Sequence, residues 1–254
     1  MKNLKGKVAL ITGVSRKKGI GFAMAQALAK EGVNLFLAYF RLYDAEIHKE
    51  ENHEEINNIL QELRESKVQV EALEIDLSLS KNPKVLVDKA MEKFGKVDIL
   101  INNACYSGQD NVETVTATSL DKHYAVNTRA TLLLTAEFFR QFIGEEGWVI
   151  SMTSGQGVGP MTTEISYAST KGAIDAFTLS ASPDLARKNI KIYALDPGPV
   201  DTGWMTEELK VEVSKSSSRN RVTEPADVAK DILIIFEGED SIQSGQVIRK
   251  RYEV

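Results

Sequence analysis

The segment Tyr167-Ala168-Ser169-Thr170-Lys171 sets a phenol and an ammonium group four residues apart, a spacing that puts both on one face if the segment is helical. Ser154 stands 13 residues upstream of the tyrosine, just past the apolar run 149–152. The three side chains together suit reduction of a carbonyl. Negative charge then builds on oxygen, which needs a positioned proton donor and a second hydrogen-bonding group. Tyr167 is the natural acid and base, and Ser154 the donor to the substrate oxygen. The Lys171 cation favours the phenolate, each unit of pKa lowering corresponding to about 1.4 kcal/mol. A tyrosine and lysine at this spacing are a weak signal alone, because ordinary surface pairs share it.

A hydride donor is suggested by the run Thr12-Gly13-Val14-Ser15-Arg16-Lys17-Lys18-Gly19-Ile20-Gly21, which follows the first apolar segment. Glycines let a chain adopt left-handed angles and approach a pyrophosphate closely, and the amides that open the next helix face the anion. Gly13, Ser15, Arg16, Gly19, Ile20 and Gly21 are therefore expected to line a dinucleotide, with Arg16, Lys17 and Lys18 adding positive potential. Lys171 can also hold the ribose hydroxyls next to the nicotinamide. At the end of the second apolar segment, Ala38-Tyr39-Phe40-Arg41, there is no acid to take a ribose 2′-hydroxyl. Arg41 with Arg16 forms a guanidinium pair suited to a 2′-phosphate, which favours NADP(H) over NAD(H).

The elements that must carry these residues alternate regularly. Apolar runs at 8–12, 33–39, 68–75, 97–101, 148–152, 190–195 and 246–248 read as strands. Helical patterns begin after Gly19 and fall near 56–63, 83–94, 119–142 and 167–188, with a last one opening at Glu224-Pro225. Such alternation implies an α/β chain with a doubly wound parallel sheet of about seven strands, a Rossmann-type fold with helices on both faces. Residues 1–254 then make one dinucleotide-binding and catalytic domain, with 203–224 as a mobile segment on the substrate side, because 214–220 is polar and lacks apolar periodicity. Pro183, inside the 167–188 helix, removes a backbone hydrogen bond and is expected to kink it.

Composition excludes other classes. The formal charge of −5 disfavours nucleic acid. The single Cys105 allows no internal disulfide, and the three histidines show no zinc-ligand spacing, so no metal is expected. The apolar stretch near the start is too short for a signal peptide or a membrane span, and a cytoplasmic, membrane-free protein is expected.

These motifs in this order resemble the short-chain dehydrogenase/reductase family over residues 6–248. The matching elements are the glycine turn, Asp76-Leu77, Asn102-Asn103-Ala104, Asn127, Ser154, the Tyr167 to Lys171 motif, and Asp196-Pro197-Gly198-Pro199-Val200-Asp201-Thr202. The resemblance implies that Asp76 and Leu77 contact adenine, and that Asn103 and Ala104 line the cofactor. It also implies that Pro197, Gly198, Val200 and Thr202 bracket the nicotinamide, and that Asn127 holds a proton-relay water beside Lys171. Within the family the sequence is most similar to bacterial reductases of the 3-oxoacyl-[acyl-carrier-protein] type. That implies a small-molecule or acyl-carrier-bound carbonyl substrate and a homo-oligomer, tetramer or dimer.

Several departures keep alternatives open. Five residues separate Gly13 and Gly19 where the family usually has three, a spacing that resembles enoyl reductases, although those separate tyrosine and lysine by six residues rather than three. Cys105 replaces a usual glycine, residues 44–55 lengthen the second connection, and the end after Arg249 lacks the usual Gly-Gly. Cys105 is expected to be a small buried residue rather than a nucleophile, since no histidine stands to activate it. A non-catalytic NADP(H)-sensing module is the third reading, against which the intact proton-transfer residues weigh.

Overall fold

The computed structural model describes residues 4–43, 54–216, 221–238 and 242–249. In chain order it forms β1 (Val8–Thr12), α1 (Ile20–Lys30), β2 (Asn34–Tyr39), α2 (Glu55–Arg64), β3 (Val70–Glu74), α3 (Asn82–Phe94), β4 (Ile99–Asn102) and α4 (Ala117–His123). A π-helical stretch, Tyr124–Ala130, runs into α5 (Thr131–Gln141). There follow β5 (Gly147–Met152), a 3₁₀ turn (Gly155–Gly157), α6 (Ile165–Ala186), β6 (Ile190–Asp196), α7 (Glu207–Ser216), α8 (Pro225–Glu237) and β7 (Val247–Arg249).

The seven strands form one sheet in the order β3-β2-β1-β4-β5-β6-β7, and all pairings are parallel. Both faces are covered, so the strands are apolar on both sides. Side chains alternate along each strand: Ala9 and Ile11 of β1 join one core cluster with Met24, Leu28, Ile59, Ile232 and Phe236. Leu10 joins the other, with Leu86, Leu134 and Phe138. Trp148 of β5 packs edge-on to Phe236 with ring centres 5.7 Å apart. The strand order reverses between β1 and β4, and the carboxyl ends of β1, β4, β5 and β6 lie side by side there. Crevices at such reversals bind ligands in open parallel sheets.

Two elements differ from the sequence expectations. The single helix expected over 119–142 is three consecutive pieces, with the π-helical stretch carrying Asn127. Part of the polar segment 203–224 is a regular helix, α7, while 217–220 lie outside the described residues. Helix α6 runs unbroken through Pro183. The proline's missing N–H would have met the Leu179 carbonyl, and the Ser182 hydroxyl donates to that oxygen instead at 3.0 Å. Most of the long second connection (44–53) and the tail (250–254) also lie outside the described residues.

Candidate active site

The glycine turn leaves β1 at Gly13, whose φ is +74°. A β-carbon there would lie 2.8 Å from Ala104 Cα, and one on Gly21 would lie 2.5 Å from the Gly13 carbonyl oxygen. Both positions require glycine because backbone meets backbone. The Asn103 amide clasps the turn, donating to the carbonyls of Thr12 at 2.9 Å and Gly13 at 3.0 Å. In return the Thr12 hydroxyl accepts from the amides of Asn103 and Ala104, each at 3.0 Å. Asn103 thus lines the cradle by bracing it, and its side-chain amide is engaged with protein. Gly19 is the N-cap of α1, with no side-chain cap and no acid in the first turn. The amides opening this 11-residue helix are therefore oriented for an anion. A tight cradle and an uncapped helix start fit the pyrophosphate of a dinucleotide. Ser15, Arg16 and Ile20 lie on the same turn, partly exposed.

Tyr167 and Lys171 share one face of α6. Lys171 is buried, donates from Nζ to the Met152 carbonyl at 2.8 Å, and sits 5.4 Å from the centre of the Tyr167 ring. Ser154 follows β5 in extended conformation, and its hydroxyl is hydrogen-bonded to the Tyr167 phenol. On balance the phenol's pKa nevertheless lies above that of an ordinary tyrosine. Burial raises it most, the Cys105 sulfur adds to that, and the Ser154 hydrogen bond only partly offsets them. Tyr167 is therefore a protonated acid at neutral pH.

Asn127 is buried. Its Oδ1 accepts from the Tyr106 amide at 2.7 Å, and its Nδ2 donates to the Tyr106 carbonyl at 2.9 Å and to the Thr170 hydroxyl at 3.1 Å. It ties the segment after β4 to the residue preceding Lys171. π-Helical turns often sit at functional sites, and this one delivers Asn127 to that join.

The remaining expected residues occupy the same sheet edge. Asp76 and the buried Leu77 follow β3, where Asp76 Oδ1 accepts from the Ser78 amide at 2.8 Å. Pro197 and Gly198 follow β6, and the Gly198 amide donates to Asp196 Oδ1 at 3.0 Å. Val200 is buried, pairs as an isolated bridge with Thr223, and accepts from the Trp204 indole at 2.8 Å. Thr202 stands half-buried beyond it.

The basic cluster is more neutral than its sequence suggests. Arg41 is gripped by Glu74 at the end of β3, Nε to Oε1 at 3.0 Å and Nη2 to Oε2 at 2.6 Å. This contact holds the Glu74 carboxyl below the usual carboxylate range. Lys17 pairs with Glu62 of α2 at 2.6 Å. An acid does reach the end of β2 after all, delivered by the neighbouring strand. The sequence reading also missed the place of Cys105, whose sulfur interacts with both Lys171 and Tyr167. Burial pushes its thiol up and the Lys171 charge pulls it back, which leaves a protonated thiol beside the acid rather than a nucleophile.

Comparison with known proteins agrees with this geometry. A family described as short chain dehydrogenase matches residues 7–212. The uncharacterised oxidoreductase YjdA of Bacillus subtilis (strain 168) is 39% identical over 251 residues, covering 98% of this chain and 96% of that protein. The NADPH-dependent aldehyde reductase 1, chloroplastic, of Arabidopsis thaliana is 29% identical over 91% of this chain and 80% of its own length. Among solved structures, a short chain dehydrogenase from Burkholderia cenocepacia J2315 in complex with NADP superposes with a TM-score of 0.85 at 26% identity, covering 98% of this chain and 97% of the other.

Proposed function

The chain belongs to the short-chain dehydrogenase family and is an oxidoreductase; from that premise we propose that it is an NADP(H)-dependent carbonyl reductase. The observation that carries the reading is Tyr167 beside Ser154 and one helical turn from buried Lys171, at the sheet edge where the glycine cradle opens. When bound, the reduced dinucleotide supplies the hydride. Gly13, Gly19 and Gly21 would cradle its pyrophosphate, and Lys171 would hold the ribose next to the nicotinamide. Ser154 donates a hydrogen bond to the substrate carbonyl oxygen. Tyr167 passes its phenolic proton to the same oxygen as charge develops there. Asp76 and Leu77 would flank the adenine, while Pro197, Gly198, Val200 and Thr202 would close the nicotinamide side. The substrate is a small aldehyde or ketone, or a 3-oxoacyl group on an acyl carrier. Exposed Leu120, Tyr124 and Leu179 support association with further copies as a dimer or tetramer. No helix among the described residues is long and apolar enough to cross a membrane.

The test is a carbonyl panel that includes 3-oxoacyl thioesters, run with NADPH and NADH side by side. Consumption of NADPH with at least one carbonyl is expected. Tight NADPH binding with no turnover across the panel would favour a sensing module instead, and reduction of a conjugated double bond with the ketone untouched would make it an enoyl reductase.

The raised phenol predicts a pH profile. Reduction needs the protonated form, so kcat/KM should stay flat from about pH 6 to 9 and decline only where the phenol ionises, above an ordinary tyrosine's value near 10. Oxidation of the alcohol needs the phenolate and should climb across that range. A reductive rate that halves on passing neutrality would remove Tyr167 as the acid.

The Arg41–Glu74 pair predicts a cofactor effect. Glu74 competes with a 2′-phosphate for the guanidinium, so Glu74→Gln should tighten NADPH about twofold to fivefold, the scale of an exposed ion pair, and leave NADH nearly unchanged. Arg41→Ala should weaken NADPH by about 10- to 100-fold, the scale of hydrogen bonds to charged groups. Fluorescence titration reads both, and equal shifts for the two cofactors would take Arg41 out of the 2′-phosphate site.

A further inference from the structure

Behind Ser154 lies a polar cluster that proton transfer does not use. Thr153 and Gln156 flank the serine and reach the same carboxylate, Asp175. The Thr153 hydroxyl donates to Oδ1 at 2.6 Å, and Gln156 Nε2 donates to Oδ2 at 2.8 Å. Gln156 also donates to the Thr153 hydroxyl at 3.1 Å. Asp175 sits four residues beyond Lys171 on α6, so the anchor of the serine loop and the catalytic lysine share one helix face. From the other side Arg249, the last residue of β7, donates from Nη2 to Asp175 Oδ2 at 3.1 Å. Its guanidinium is pressed against the loop: a β-carbon on Gly157 would lie 2.5 Å from Nη2.

We propose that Asp175 and Arg249 are positioning residues that couple the last strand to the serine loop and hold Ser154 in register with Tyr167. The inference rests on the reading of Ser154 as the donor to the substrate oxygen. Thr153 and Gln156 bracket the serine on both sides, so fixing both to one carboxylate fixes the loop's tilt against α6. The carboxylate must stay ionised to accept three donors. Burial works against that by raising the Asp175 pKa, and the Arg249 charge opposes it. Without the guanidinium, protonation or rotation of the carboxyl would release one or both flanking anchors. A serine displaced by a fraction of an ångström loses its shared hydrogen bond with the substrate oxygen, whereas the glycine cradle, braced by Thr12 and Asn103, is untouched.

The experiment compares wild type, Arg249→Met, Arg249→Lys, Asp175→Asn and the Arg249→Met/Asp175→Asn double variant. Arg249→Met should lower kcat about tenfold with NADPH affinity within about twofold, and Arg249→Lys should restore most of the loss. The double variant should be no worse than Asp175→Asn alone, because both changes break one unit. Hydrogen exchange of the peptide spanning 153–161, which needs no turnover, should quicken about tenfold in Arg249→Met while β5 and α6 peptides keep wild-type protection. Unchanged loop exchange would overturn the proposal, as would parallel losses of kcat, NADPH affinity and melting temperature. A wild type inert toward every carbonyl would sink the reductase reading, and loop exchange would still decide whether Arg249 and Asp175 hold the serine.

Discussion

Replacing Tyr167 with phenylalanine is expected to lower kcat for carbonyl reduction by about 10²- to 10⁴-fold, the range for a lost general acid, while NADPH still binds. The substitution removes one oxygen and leaves the ring. Lys171 keeps its position, because Nζ is held by the Met152 carbonyl at 2.8 Å and the ring it faces at 5.4 Å remains. The glycine cradle depends on Thr12 and Asn103 rather than on α6. The loss should therefore fall equally on kcat and kcat/KM, the signature of an interaction made only in the transition state. Ser154→Ala should cost less than the tyrosine variant, since it removes a hydrogen-bond donor but leaves the proton source in place. A Tyr167→Phe enzyme within tenfold of wild type would mean that another group supplies the proton. The neighbouring Cys105 thiol, itself held protonated by burial, would then be the first to replace.

The parts of this site legible in the sequence were those fixed by local chemistry. Continuous apolar runs such as 8–12 and 148–152 marked strands buried on both faces, and the glycine turn marked a crossing of backbones that the structure shows at Gly13 and Gly21. What escaped depends on register. Glu74 meets Arg41 because β2 and β3 pair with Tyr39 opposite Glu74, and a separation of 33 residues hides that neighbour from any local pattern. Lys17 and Glu62 are joined by the packing of α2 beside the glycine turn, over a separation of 45 residues. The π-helical stretch around Asn127 was hidden inside one long amphipathic run, because a single wider turn barely shifts the 3.6-residue pattern on either side. Helix α7 was missed since its apolar residues do not build a buried stripe, Val211 remaining 58% exposed. Pro183 leaves the Leu179 carbonyl without its backbone donor, and the serine one residue earlier supplies a hydroxyl in its place.

Gly13→Ala is expected to weaken NADPH binding by roughly two orders of magnitude, and a matched control separates its two causes. The first cause is backbone strain, since alanine at φ +74° pays about 1–2 kcal/mol for the left-handed region. The second is collision: the new carbon would lie 2.8 Å from Ala104 Cα and from Asn103 Nδ2, and 2.9 Å from the Ala104 amide nitrogen. Neither neighbour is the free end of a flexible chain. One is backbone, and the other is an amide clasped to the Thr12 and Gly13 carbonyls. Overpacking of this kind costs about 1–3 kcal/mol, and relief requires the ends of β1 and β4 to move apart at the place where the pyrophosphate must sit. Gly6 offers the comparison, with φ +79° and nothing within 4 Å of its would-be β-carbon. Gly6→Ala carries the same strain without the collision, so it should lower the melting temperature by a few degrees, about 2–4 °C per kcal/mol, and leave NADPH affinity at the wild-type value. Equal affinities for the Gly13 and Gly6 variants would show that the cofactor does not lie against the turn. Equal melting temperatures with a large affinity difference would show that the crowding is felt at the cradle alone.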